Sequence, residues 1–293
     1  MERRHVKGLA KIVAVAAAVL LISALLAPAV HAMLGYPFAR VLNRLVMINA
    51  VIAVAVFVRF RRELFARFGM TWTPDSIRYL WTGFLAGIAS LVAFAAVSVA
   101  AGHAHVVIRR LSAPGWAERV AEGLLTAILV GVVEEFVFRG FVFTSVREAL
   151  TRGRAVPAMV VTSLLYALVH FLPIRQPAIG PDPGIADSVA LLLAPLQSLA
   201  DWHATWPSAV GLFLFGMVLN RAAVRTGSLY PSIGLHAGCV TFLRVAGLFV
   251  EFGQDDVLLW SSKRVYDGVL GWAFLLLTGL VLTARLKRAG PSA

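Results

Sequence analysis

Apolar runs of about 20 residues recur along the chain, near 10–30, 41–58, 79–101, 119–146, 156–173, 208–224, 231–250 and 267–284. Each is long enough to carry a helix across the ~30 Å hydrocarbon core of a bilayer. Inside that core backbone amides must be satisfied within the protein, which leaves helices or closed barrels. The expected fold is therefore all-α: a polytopic membrane helix bundle of about eight transmembrane helices. A ninth run, 185–200, is short and contains Pro195, so it is expected as a re-entrant segment rather than a crossing. Composition argues the same way, because a 293-residue chain that is 59% hydrophobic and only 14% charged carries more apolar surface than a soluble domain buries. The net charge of +12 is spread over short basic clusters between the runs. That pattern suits topology determinants and not a nucleic-acid surface, so no nucleic-acid partner is expected. With Cys239 as the single cysteine, no intramolecular disulfide can form.

The basic clusters orient the bundle. Arg3, Arg4, Lys7 and Lys11 precede the first run, Arg59, Arg61, Arg62 and Arg67 follow the second, and Arg147, Arg152 and Arg154 follow the fourth. They share a side with Arg221, Arg225, Arg285, Lys287 and Arg288 only if the run at 185–200 does not cross, and both termini are then cytoplasmic at a cell inner membrane. Arg109 and Arg110 fall on the opposite side and count against this arrangement. The first run could also be read as a cleavable signal ending near Val30-His31-Ala32. The segment Arg59–Phe68 has apolar positions at helical spacing among arginines and is expected to lie in the interface as an anchor. Pro173, Pro177, Pro181 and Pro183 make the loop 172–184 irregular. No internal repeat or soluble domain is visible. The expected organisation is accessory helices at 1–118, a catalytic core at 119–250, and a last helix with a basic tail at 251–293.

Ionisable groups inside a span cost about 2.5–3.5 kcal/mol each on insertion scales and call for a reason. The interior of the fourth run, well away from its ends, holds three: Glu134, Glu135 and Arg139. Glu135 and Arg139 stand at i, i+4 and can pair. Glu134 is turned about 100° away and has no local partner, which suits a general base for water. The plainer alternative is a helix–helix salt bridge with the second glutamate satisfied by a neighbour. His170 closes the fifth run. Glu134 lies about 20 Å from Arg147 and His170 about 21 Å from Val156, so the two can be level on antiparallel helices. His236 is only about 8 Å past Pro231 and is too shallow unless the loop before it dips into the membrane. His103, His105 and His203, with Trp202 and Trp206, fit interfacial positions, and Cys239 is expected simply to pack.

These residues resemble the CPBP family, the CAAX protease and bacteriocin-processing group of intramembrane proteases. Its pattern is EExxxR, then an aromatic residue with xxxH, then HxxxN or HxxxD, on successive core helices. Glu134–Arg139 (EEFVFR) and Tyr166–His170 (YALVH) match, while His236–Val240 (HAGCV) keeps the histidine and has valine for the final Asn or Asp. The resemblance covers about 119–250. It implies a CAAX endopeptidase-like intramembrane protease acting on a hydrophobic or prenylated peptide in the lipid bilayer. Carried onto the matching positions, Glu134 would activate water with help from His170, Glu135 and Arg139 would fix the helix pair, and His236 would stabilise the oxyanion. Many members are labelled metalloproteases, and Glu134, His170 and His236 form a candidate His₂Glu set for one zinc ion. HExxH is absent, and the same groups can work without metal as an acid–base site. On a helix Arg244 follows His236 and Val240 along one face, which makes it the candidate oxyanion donor in place of the missing amide. Two other classes stay open: a non-catalytic scaffold or bacteriocin immunity protein on the same fold, suggested by Val240, and a proton-coupled transporter, since intramembrane Glu and His also build relays.

Overall fold

A computed structural model describes residues 2–59, 63–170, 179–198 and 202–286. Each of the eight apolar runs is helical over most of its described length. They form α1 (Glu2–Leu34), α2 (Phe38–Arg59), α4 (Ser76–Ala100), the stretch from α5 (Ala113–Glu135) to α6 (Phe143–Ala149), α7 (Ala155–His170), α9 (Trp202–Thr226), α10 (Tyr230–Val245) and α12 (Val269–Arg285). Three helical segments among the described residues are long and apolar enough to cross a membrane by themselves: Val13–Leu34, Ser76–Ala100 and Trp202–Thr226. Others, such as Ala155–His170 and Val269–Arg285, are apolar but shorter. The run near 185–200 forms α8 (Ile185–Ser198), unbroken at position 195. At 1.5 Å per residue it extends about 21 Å, less than a bilayer core. Of the proline-rich loop, residues 179–184 are irregular and 171–178 lie outside the described residues, as do Arg61, Arg62, Lys287 and Arg288.

The bundle is built around α10, a helix buried along most of its length from Pro231 to Thr241. Glycine allows this. Gly83 and Gly87 of α4 face Gly234 and Gly238 of α10, and a Cβ added at Gly83 would come within 2.1 Å of the Pro231 carbonyl, one at Gly234 within 2.0 Å of the Leu80 carbonyl. Paired small residues four apart let two helix backbones touch, the device by which helices associate when lipid supplies no hydrophobic drive. On its other side α10 meets α5, whose buried residues are Gly123, Ala127, Gly131 and Glu135. Ser112 caps α5 by accepting a hydrogen bond from the Gly115 amide, with Pro114 in the first turn.

Two features depart from the expected all-α bundle. Residues 104–106 (β1) and 250–252 (β2) form a small antiparallel sheet pairing Ala104 with Phe252 and Val106 with Val250. The segment after α2, expected as a plain interfacial anchor with helical spacing, does form a short helix α3 (Glu63–Arg67), but its end packs onto the core: Phe68 lies edge-on to Phe136 and Phe141, with ring centroids 5.7 and 5.8 Å away.

The ends of the bundle differ in their contacts. At one end Arg67 pairs with Glu148, the Leu229 amide donates to the Gly69 carbonyl (2.9 Å), and Arg225 Nε donates to the Leu286 carbonyl (3.0 Å). At the other lie the sheet, Arg109 with Glu251 at 3.8 Å, and His103 stacked on Trp260 at 4.1 Å.

Candidate active site

Glu135 is the fourth member of the stripe that begins with Gly123, Ala127 and Gly131, so it points where the small residues point, at α10. It is fully buried there. Its Oε1 accepts hydrogen bonds from Arg139 Nη1 (3.0 Å) and His236 Nδ1 (2.8 Å). The Arg139 guanidinium, with a side chain only 1% exposed, lies 4.2 Å above the Tyr166 ring. This cation–π contact supports part of a charge whose Nε and Nη2 have no hydrogen-bond partner among the described residues. The residues after Glu135 wind as a π-helix, Phe136–Val142, before the chain returns to α-helix in α6. Such insertions occur often at functional sites because they re-aim side chains within a helix.

Glu134 faces another way and keeps a different environment. Its side chain is 28% exposed and that of His170 is 22% exposed, against 4% for His236 and 0% for Glu135. His170 Nε2 stands 3.0 Å from Glu134 Oε2, and His236 Nε2 is 3.9 Å from the same oxygen. The other nitrogen of His170, Nδ1, is 2.8 Å from the Tyr166 carbonyl, which can only accept, so Nδ1 carries a proton. The hydrogen bond to Glu134 therefore needs a second proton, held by Nε2 or by the carboxyl group. The pair shares one transferable proton and is partly exposed, whereas the trio of Glu135, Arg139 and His236 is buried.

The α10 glycines also place His236. Gly234 and Gly238 turn one face of α10 to α4, and His236, two residues from each and about 200° round the helix, is directed at α5 and α9. There it meets Glu135 and the Phe215 ring (centroids 5.4 Å, edge-on). The loop before α10 lies against Gly69, inside a chain of contacts that includes Phe68 and Phe136, so α10 starts within packed protein. His236 nonetheless stands level with the Glu134–His170 pair, its Nε2 3.9 Å from Glu134 Oε2.

Glu134, Glu135, Arg139, His170 and His236 are thus brought together. Arg244 is not. It is exposed, its Cβ lies 3.3 Å from where a Cβ on Gly123 would stand, and it sits eight residues from His236, about 12 Å along the helix. A shared helix face carried it in the right direction but too far along the axis. The structure adds Tyr166, which bridges Arg139 and His170 (ring centroids 3.9 Å from the histidine) and is 2% exposed. The sequence signal for it was the aromatic position of the YALVH motif.

Glu134, His170 and His236 have the donor types of a catalytic zinc site. Their spacing does not fit one as it stands: Glu134 and His170 are hydrogen-bonded to each other, and among the described residues no three such side chains surround a point suited to a metal ion.

Residues 114–242 match the family model for type II CAAX prenyl endopeptidase Rce1-like proteins. This stretch is a CAAX-protease family domain. The Rce1-like domain contains all five clustered residues and ends before Arg244. No curated protein and no solved structure matches the chain. The Rce1-like match and the apolar helices both point to a membrane protein.

Proposed function

We propose that the protein is an intramembrane endopeptidase in which Glu134 activates water to hydrolyse a peptide bond of a hydrophobic or prenylated peptide. The observation that carries this is the division of the cluster: a partly exposed Glu134–His170 pair sharing one proton, beside a buried Glu135–Arg139 pair that orients His236. In the reaction Glu134 takes a proton from water as its oxygen attacks the scissile carbonyl carbon. The same proton then passes to the leaving amine nitrogen as the C–N bond breaks, with His170 holding the carboxyl group in place. His236, backed by Glu135 on Nδ1, presents Nε2 to the developing oxyanion, and the buried carboxylate stabilises the imidazolium that can donate there. The reaction is written with these side chains alone, the set not fitting a metal as it stands.

The test is cleavage of a panel of prenylated and unprenylated hydrophobic peptides by the purified protein in detergent. Cleavage that disappears in Glu134→Gln, with unchanged thermal stability, supports the reading. A wild-type protein that cleaves nothing on the panel, or a Glu134→Gln variant that retains its rate, overturns it. A non-catalytic scaffold would give the first of these results. A proton-coupled transporter would instead move protons across proteoliposomes, dependent on the same pair.

A further inference from the structure

On the side of α10 that faces α4, away from the Glu134 cluster, an apolar groove of about 640 Å³ runs beneath the small sheet. One wall is α4 from Ile88 to Ala100, and the other is α10 from Thr241 through Val245, continued by Ala246, Phe249 and Val250. Val92, Val106 and Phe249 along its edges are 51%, 69% and 46% exposed, so the groove opens sideways rather than being enclosed. Thr241 is the one polar residue on its wall. From Ile88 to Ala100 the groove follows α4 for about 18 Å, close to half of a ~30 Å hydrocarbon core and hence to the depth of one leaflet.

The sheet end of the groove is basic. Arg109 is fixed beside it, its amide donating to the Leu248 carbonyl (3.1 Å) and its Nε to the Gly247 carbonyl (3.4 Å), next to the groove residues Ala246 and Phe249. Arg110 follows, exposed. The nearest acidic group, Glu251, reaches Arg109 at 3.8 Å, a solvent-exposed pair of little strength. Arg109 and Arg110 lie on the side of the bundle that the basic clusters do not mark as cytoplasmic, where orientation gives them no role.

We propose that the groove holds one acyl chain of an anionic phospholipid whose phosphate is bound by Arg109 and Arg110. The length of one leaflet, a lateral apolar opening in a membrane protein and a cationic pair at the headgroup end each match a part of that molecule. Cationic side chains near an anionic lipid surface contribute about 1 kcal/mol each. The inference stands on this groove and does not depend on the peptidase reading.

The experiment uses the full chain in neutral detergent and counts retained lipid by native mass spectrometry during titration with phosphatidylglycerol or phosphatidylcholine. The wild type is expected to bind phosphatidylglycerol at least about 5-fold more tightly than phosphatidylcholine. Arg109→Ala/Arg110→Ala, an exposed pair whose loss leaves the core intact, is expected to abolish that preference. Ala96→Trp, placing an indole in the groove, is expected to lower binding of both lipids. Equal affinity for the two lipids in the wild type, or an undiminished preference in the double arginine variant, overturns the headgroup assignment. Undiminished binding in Ala96→Trp overturns the groove as the site, and displacement of the lipid by a prenylated peptide overturns the lipid as its occupant.

Discussion

Adjacent glutamates in one helix would be interchangeable if only their position in the sequence mattered, yet Glu134 and Glu135 meet different neighbours. Glu135 has Arg139 and His236 on one oxygen and no access to solvent, so Glu135→Gln leaves the arginine without its counter-charge and His236 without its orienting carboxylate. Removing one partner of a buried pair costs about 3–5 kcal/mol. Glu135→Gln and Arg139→Ala should therefore lower the melting temperature in detergent as well as the rate, whereas Glu134→Gln should lower the rate alone. Equal melting temperatures for all three would show that the buried pair does not act as a structural unit. Direct hydrogen bonding between Glu134 and His170 leads to a second expectation, that dialysis against a chelator leaves the cleavage rate unchanged. A loss restored by zinc would make Glu134, His170 and His236 its ligands. Arg244→Ala should cleave at the wild-type rate, because about 12 Å of helix separates that residue from His236.

At the scale of the helices, the close crossing of α4 and α10 places His236. Gly234→Ala would drive a methyl group to within 2.0 Å of the Leu80 carbonyl, and relief requires the two backbones to part. Overpacking of this kind costs about 1–3 kcal/mol, and the displaced α10 takes His236 with it, so stability and rate should fall together. Gly115→Ala, whose new Cβ would meet its nearest neighbour at an ordinary 3.4 Å, is the control and should do neither. Much of the site could be read from sequence, since intramembrane charge is costly enough to mark Glu134, Glu135, Arg139 and His170 individually. The hydrogen bond from His236 to Glu135 could not be read, because it joins residues 101 apart whose approach depends on glycine spacing in two helices. That spacing, Gly83 with Gly87 and Gly234 with Gly238, is visible in the sequence and was the signal for the crossing. Arg244 was misplaced for a simple reason: a helical wheel gives the direction of a side chain and omits its height. The π-helix after Glu135 left no mark that periodicity could detect.

For the molecule as a whole, the distribution of charge and the contacts at the helix ends bear on one question, which side each loop occupies. Arg67 meets Glu148, Gly69 meets the loop that follows Arg225, and Arg225 meets the end of α12. Loops separated by up to about two hundred residues are therefore neighbours at one end of the bundle, and each carries arginines. The topology expected from the sequence, in which α7 and α9 cross and the 14-residue α8 does not, keeps Arg154 and Arg225 together. An excess of Lys and Arg marks the cytoplasmic side, so this end is expected to be cytoplasmic. Reporter fusions after Arg67, Arg154 and Arg225 should all give the cytoplasmic signal, and a fusion at Pro181 the opposite one. If only Arg225 reported outside, α8 would have to cross, and the contact between the Leu229 amide and the Gly69 carbonyl would have to break. If all three reported outside, the end-to-end contacts would stand and the basic clusters would not be what orients the chain.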